Sequence, residues 1–485
     1  MYINKTTSIC VTICAPIARR PSLGTSRYTR TGKWRSGKQK SRSNRQKLPK
    51  NTPDIEVKIK RISSKGDGVG LANWGEYEPE NKPENKVEIY IPNTLPGEVV
   101  RAQPLTKIGN RLEADLLELM TPSLERHPPE CNSFSSCGGC QLQHMSHSAY
   151  RSWKQQSILD LLHNSNINIL DFGGLFTSQD QKRRRANFKF KRTKEKSFIG
   201  FYASKSYQII ELDNCAVLSE ALLATKELIR DGLDRIMPMG ITAAINVNHY
   251  ENGSDVLIIP EQKLPDNTEI ELASWASGTN INRVSLVYAD QDKSRLLYQN
   301  SAPFIKWGGI SISPPPGSFL QPTLFGENEL QHQVFHAHKD ATNCLDLFAG
   351  CGTLSAKLLS QKVRITAIDS HKECLEAYQS GYRNVAQDNL LKTETRNLIE
   401  APVRSEFMKD FDGIILDPPR GGAYSQIKQI AQTNCPSVTY VSCNPYSFIK
   451  DARILLDAGY QLIHLSILDQ FSWTTHSELI GNFQR

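Results

Sequence analysis

Tyr440-Val441-Ser442-Cys443-Asn444-Pro445 is the stretch on which the reading turns. The apolar run from Ser437 to Val441 reads as a buried strand, and it stops at a cysteine followed by Asn-Pro. Pro445 lacks a backbone donor and biases Asn444 away from helix, so the thiol falls where the strand ends. Ligands of open α/β sheets bind beyond the carboxyl ends of the strands, where a nucleophile is useful. An inert core thiol is the plain alternative for a lone cysteine. Three neighbours argue against it: a glycine turn at Asp346 to Thr353, an Asp-Pro-Pro-Arg turn at Asp417 to Arg420, and Gln321 closing Ser318-Phe319-Leu320-Gln321.

Working outward, each neighbour also sits at a strand end. Asn343 to Phe348 is an apolar strand running into Ala349-Gly350-Cys351-Gly352-Thr353, with an apolar helix expected next. Such a turn lets a nucleoside approach the backbone at a helix start. The third glycine of a dinucleotide fingerprint is missing, which argues against a pyrophosphate cofactor. Val363 to Ile368 is a second strand ending in Asp369, 23 residues after Asp346, where an acid can hold both hydroxyls of a ribose. Phe411 to Leu416 is a third strand, ending in Asp417. Alternation of strands with helical stretches over 311–485 predicts a Rossmann-like parallel sheet.

The 485 residues leave room for about three domains at roughly 150 residues each. No apolar run approaches the roughly 18 residues needed to cross a bilayer, so a membrane protein is not expected. The net charge of +8 is unevenly placed: residues 1–53 carry 13 Lys/Arg and no acid, and the remaining 45 Lys/Arg against 50 Asp/Glu give −5. That segment reads as a disordered basic extension. It either adds attraction to phosphates, resembles an organelle transit peptide, or is a solvated tail. Eleven cysteines in a chain without a secretory signal point away from a disulfide framework, towards a reducing compartment such as the cytoplasm.

Residues 54–120 show short strands between Gly and Pro turns, as in Gly66-Asp67-Gly68-Val69-Gly70, and predict a small OB-like barrel. Cys131, Cys137 and Cys140 follow in a C-x5-C-x2-C pattern, with Cys215 the natural fourth partner. Four thiolates hold zinc or an iron–sulfur cluster, and spacing alone leaves both open. Lys182-Arg183-Arg184-Arg185 and the alternating Phe188-Lys189-Phe190-Lys191 suit phosphate contact with base stacking, against the alternative of an amphipathic strand with a solvated basic face. The stretch 121–310 is thus expected to be a central α+β domain that binds a metal group and RNA.

Beyond residue 53 the sequence resembles the bacterial 23S rRNA uracil-5 methyltransferases, of the type with a TRAM barrel and an iron–sulfur cluster. Gly66 to Gly70 and Ile91 to Glu98 match the barrel, and the Asp-Pro-Pro, Ser-Cys-Asn-Pro and late Glu motifs match the enzyme core. The resemblance implies a class I methyltransferase domain using S-adenosylmethionine, acting as a monomer on RNA. It implies Cys443 as nucleophile and Glu478 as general base. Its cofactor site falls on Gln321, Phe348, Thr353, Asp369, Asn397 and Asp417. Its [4Fe–4S] ligands fall on Cys131, Cys137, Cys140 and Cys215. The chain differs at Thr353, where Asn is also common, and at Ser472-Trp473 and Ser477 in the base motif. A tRNA uracil-5 methyltransferase, a cytosine-5 enzyme and an RNA-binding assembly factor with a vestigial fold are the competing readings.

Overall fold

The computed structural model describes residues 45–74, 86–177, 182–291, 293–386 and 388–485. Strands Ile55–Ile62, Gly68–Asn73, Lys86–Ile91, Val99–Ile108 and Arg111–Thr121 close into a barrel. Closure comes from Arg111–Thr121, which pairs in parallel with Lys86–Ile91 and antiparallel with Val99–Ile108. Alternate residues, among them Val57, Ile59, Ile89, Ile91, Val100 and Leu112, fill its interior. The glycines of Gly66 to Gly70 have a steric cause. A Cβ at Gly70 would overlap the Val57 side chain, and one at Gly68 the Thr94 hydroxyl.

Part of the predicted extension is paired. Residues 1–44 lie outside the described residues, but Arg45–Lys47 forms a strand on Thr106 to Ile108. Ile55–Ile62 covers only Val99 to Ala102 of the ten-residue strand Val99–Ile108, so the far end has ladder groups to pair. Arg45 adds an ion pair to Glu113 at 3.1 Å.

A seven-stranded central sheet runs in the order Ile209–Glu211, Ser197–Tyr202, Arg185–Arg192, Thr242–Tyr250, Gly253–Pro260, Arg283–Leu286, Arg295–Gln299. The helices Glu220–Ile236 and Thr268–Ser277 pack on it and on each other. Buried Glu98 ties the barrel to the segment that follows it, accepting from Arg126 Nε at 2.6 Å and Nη2 at 2.8 Å. Burial pushes the Glu98 carboxyl up, but Arg126 and the Leu95 and Ser123 amides outweigh it and hold the pKa below its usual value.

The third sheet has eight strands, in the order Leu391–Thr395, Arg364–Asp369, Asn343–Leu347, Gly413–Leu416, Ser437–Ser442, Glu478–Gln484, Gln461–Asp469, Asp171–Thr177. The first five run parallel, and Glu478–Gln484 is antiparallel to its neighbours on both sides. The strand predicted at 437–441, the two ending in Asp369 and Asp417, and the strand before the glycine turn are all present. The expected helix after that turn is a single turn, Ala356–Leu359. The last strand, Asp171–Thr177, comes from outside 311–485 and pairs in parallel with Gln461–Asp469. No helix among the described residues is long and apolar enough to cross a membrane.

Candidate active site

The carboxyl edge of the parallel strands gathers the expected residues. Phe348 follows Asn343–Leu347 with φ +61°, a left-handed conformation that is strained for a bulky side chain. Gly350 and Gly352 continue the turn at φ +55° and +86°. A Cβ at Gly352 would strike the Tyr378 ring, whereas one at Gly350 would meet only open space. The Gly350 amide donates to Asp369 Oδ2 at 3.0 Å, and His371 donates to Oδ1 from its own amide at 2.7 Å. Burial raises the Asp369 pKa, but these hydrogen bonds and the His371 ring win, and the carboxylate is held below its ordinary range. Thr353 is partly buried, and its carbonyl accepts from Gln331 Nε2 at 3.0 Å. Asn397 stands exposed at the rim, two residues beyond Leu391–Thr395, with Oδ1 accepting from the Ile399 amide at 3.1 Å.

Cys443 lies between Ser437–Ser442 and the helix Pro445–Asp457, partly buried. Asn444 caps that helix, its Oδ1 accepting from the Tyr446 amide at 3.1 Å. Its Nδ2 donates to the Arg420 carbonyl at 3.0 Å, which ties the cysteine turn to the Asp417 to Arg420 turn. Ser442 and Leu479 are the last registered pair of these antiparallel strands, and Cys443 and Glu478 are the residues that adjoin it on either side. Glu478 is buried, and its Oε2 accepts from Gln470 Nε2 at 2.6 Å. The same nitrogen donates to Gln321 Oε1 at 2.9 Å. Gln470 therefore joins the expected base to the expected cofactor loop, a role that the sequence reading missed although it quoted the motif. On that loop Phe319 is 43% exposed, with the Arg185 guanidinium 4.4 Å over its ring.

The loop from Asp469 to Glu478 is clamped from outside the catalytic sheet. Lys154, on the helix His147–His163, is fully buried and donates to Asp469 Oδ1 at 2.6 Å, Tyr150 Oη at 2.8 Å and the Thr474 carbonyl at 3.1 Å. Tyr150 Oη in turn donates to Asp469 Oδ2 at 2.7 Å and accepts from the Trp473 amide at 3.0 Å. The Gln141 and Leu142 amides both donate to the Trp473 carbonyl, at 2.8 and 3.1 Å. Burial and nearby cations, Arg420 first among them, push the His476 pKa down to about 4, so this ring is neutral at pH 7.

Cys131, Cys137, Cys140 and Cys215 line one small cavity of about 20 Å³, with Phe134, Phe201 and Arg183 in its wall. Burial pushes the Cys137 thiol up to about 11 and the Cys140 thiol up to about 12, and raises that of Cys215. No three or more His, Cys, Asp or Glu among the described residues are grouped so as to hold a metal ion. None of the nine cysteines described is in a disulfide.

The aromatic residues of the basic strand are not the base-stacking surface that its composition predicts. Phe188 and Phe190 are buried in the central core and unavailable to bases. Arg184 pairs with buried Glu327 at 2.5 Å and donates from Nε to the Gln321 carbonyl at 3.2 Å. Arg185 donates to the Leu320 carbonyl at 3.1 Å. These cations hold the Ser318 to Gln321 loop in place. The reason is positional: the strand abuts the catalytic domain, where backbone carbonyls and a buried acid await donors.

The sheet order and the residues along its carboxyl edge define a class I methyltransferase fold. The solved structure of a Pyrococcus abyssi tRNA (uracil-54, C5)-methyltransferase, in complex with S-adenosyl-L-homocysteine, shares it. The TM-score is 0.65 at 19% identity, covering 88% of this chain and 100% of that one. The family described as tRNA (uracil-5-)-methyltransferase matches residues 314–483. An uncharacterized RNA methyltransferase of Mesorhizobium japonicum is 30% identical over 423 residues, 87% of this chain and 96% of the relative. A 23S rRNA (uracil(1939)-C(5))-methyltransferase of Vibrio vulnificus is 25% identical over 453 residues, 91% of this chain and 98% of its own length. The chain belongs to the family of RNA uracil-5 methyltransferases, S-adenosylmethionine-dependent enzymes of class I.

Proposed function

We propose that this chain methylates C5 of a uridine in 23S rRNA through a transient bond between Cys443 Sγ and C6. The observation that carries the reading is that Cys443 and Glu478 adjoin the same strand pair, Ser442 with Leu479, at the ligand edge of the sheet. Uracil C5 is a poor nucleophile. Addition of the Cys443 thiolate to C6 pushes an electron pair into the ring as an enolate, and C5 becomes nucleophilic. Bound S-adenosylmethionine supplies an electrophilic methyl group. Glu478 then takes the proton from C5, and the electron pair of that C–H bond expels Cys443 from C6. Gln470 orients Glu478 and Gln321, and exposed Phe319 offers a ring on which a base that has left its stack can rest.

Phe348, Thr353, Asp369, Asn397, Asp417 and Gln321 would hold the methyl donor. The fit rests on the open face at Gly350 and on the acid at the end of the second strand. Cys131, Cys137, Cys140 and Cys215 would hold a [4Fe–4S] cluster. The reading rests on the four cysteines lining one cavity and on the C-x5-C-x2-C spacing. The 23S target is supported by the Vibrio relative, matched over nearly its whole length. We read the enzyme as a cytoplasmic monomer, with the barrel as an RNA-binding TRAM module.

The test is a covalent trap. Glu478→Gln should remain attached to RNA through denaturing electrophoresis, and the double variant with Cys443→Ala should not. Wild type should be trapped by 5-fluorouridine RNA, since fluorine cannot leave as a cation. Failure to trap with the methyl donor present overturns the covalent reading. Mapping 5-methyluridine in rRNA and tRNA of a deletion strain decides the target, and loss from tRNA alone overturns 23S.

A further inference from the structure

Arg183 stands in the wall of the four-cysteine cavity and is not used by the reaction. Its backbone is fixed beside Cys215: its amide donates to the Val217 carbonyl at 2.8 Å, and its carbonyl accepts from the Ser219 amide at 3.0 Å. Its Nε and Nη2 are buried without a hydrogen-bond partner. A guanidinium is always charged and has five donors, so two buried donors without acceptors call for an anion. On its other side, the guanidinium lies over the Phe471 ring, with Cζ 5.4 Å from the centroid. Phe471 adjoins Gln470, which donates to Glu478.

We propose that Arg183 is a positioning residue, hydrogen-bonding the anionic metal–sulfur group of the four-cysteine pocket and tying that group to the loop that carries Glu478. The inference rests on the cluster reading above. Four thiolates on a [4Fe–4S] core leave it anionic, and its sulfurs accept hydrogen bonds. The second tie is mechanical, since Gln141 and Leu142, next to Cys140, hold the Trp473 carbonyl. A loaded pocket fixes both ties.

The test uses full-length protein purified anaerobically as wild type, Arg183→Lys, Arg183→Gln and Arg183→Met. Three quantities are read: iron per chain, the midpoint potential of the cluster, and amide hydrogen exchange over residues 469–478. Positive charge and donors near the sulfurs favour the reduced, more negative cluster, so their removal lowers the potential. Arg183→Lys should stay close to wild type, while Arg183→Gln and Arg183→Met shift to lower potential and exchange faster over 469–478. A purely packing role would not order the potentials by charge. Should Arg183→Met come out poor in iron, Arg183→Gln carries the comparison. Iron-loaded Arg183→Gln with the potential and exchange of wild type overturns the proposal alone. Wild type without iron overturns the cluster reading, and this proposal with it.

Discussion

The Gln470 amide donates to the Glu478 carboxylate at 2.6 Å, with both side chains almost wholly buried. In the proposed mechanism Glu478 receives a proton from carbon and has to be held in line, and the group that holds it is a neutral side chain. Hydrogen bonds to charged groups contribute about 1.5–3 kcal/mol, or roughly 10- to 100-fold in rate. Gln470→Leu should lower kcat by about that factor with little change in KM for RNA. Rapid-quench kinetics should show the protein–RNA adduct outliving its wild-type lifetime. A lower affinity for RNA with unchanged kcat would refute the assignment.

The clamp on the same loop contains a buried ion pair, Lys154 with Asp469, each about 1% exposed. Burial alone would lower the Lys154 pKa, and it does so despite the opposing pull of Asp469. Removing one partner of such a pair typically destabilises by about 3–5 kcal/mol, because the other charge stays buried. Lys154→Met should lose about that much in chemical denaturation. Pairing it with Asp469→Leu should recover part of the loss in a double-mutant cycle.

Asp346 gives a pH dependence with a definite sign. Burial pushes its pKa up to about 7, with Asp369 adding to the rise and the Ser355 hydroxyl opposing it. The folded protein therefore keeps a proton that the unfolded chain releases from about 3.8 upward. Stability associated with this group is complete at low pH and falls as pH rises from about 4 to about 7, by on the order of 4 kcal/mol. Asp346→Asn should remove that decline. Denaturation midpoints of cofactor-free protein at pH 4.5 and pH 8, chosen as roughly the ends of the linkage window, would measure it. A constant gap between wild type and variant would refute it.

Arg184 should behave as an anchor and not as a phosphate contact. Each phosphate contact on a single strand contributes about 0.7 to the slope of log affinity against log salt. Arg184→Gln should leave that slope unchanged while lowering thermal stability and weakening binding of the methyl donor through the Gln321 loop. A slope reduced by about 0.7 would restore the basic strand to the RNA surface.

What was legible in the sequence, and what was not, follows from the range of the interactions. Apolar runs that end abruptly at Asp369, Asp417 and Cys443 mark parallel strands, since burial on both faces leaves the chemistry only at the ends. Cys137 and Cys140 were legible through spacing, and Cys215 only as a partner for them. Lys154 was not, because a lysine on a helix ordinarily reads as solvent face, and its partner is 315 residues away. Arg184 and Phe190 misled for the same reason: composition reports what a strand could touch, and the neighbouring domain decided what it did touch. Gln470 lay inside a quoted motif, but a neutral amide gives no electrostatic signal until its two acceptors are seen.

The strand Asp171–Thr177 carries a consequence for how the molecule is made. It completes a sheet whose adjoining strand lies near the end of the chain, and His464 meets Asp171 across a separation of 293 residues. At roughly 5–20 residues per second, about 15–60 s of synthesis pass between the two. Throughout that interval the early segment has an unpaired β edge, the surface most prone to mispairing. The barrel and the central sheet can close earlier in synthesis, but the catalytic sheet waits until Gln461–Asp469 has been made. A fragment beginning at residue 311 would lack the outer strand and present Gln461–Asp469 as a bare edge, so the enzyme core is not an excisable unit.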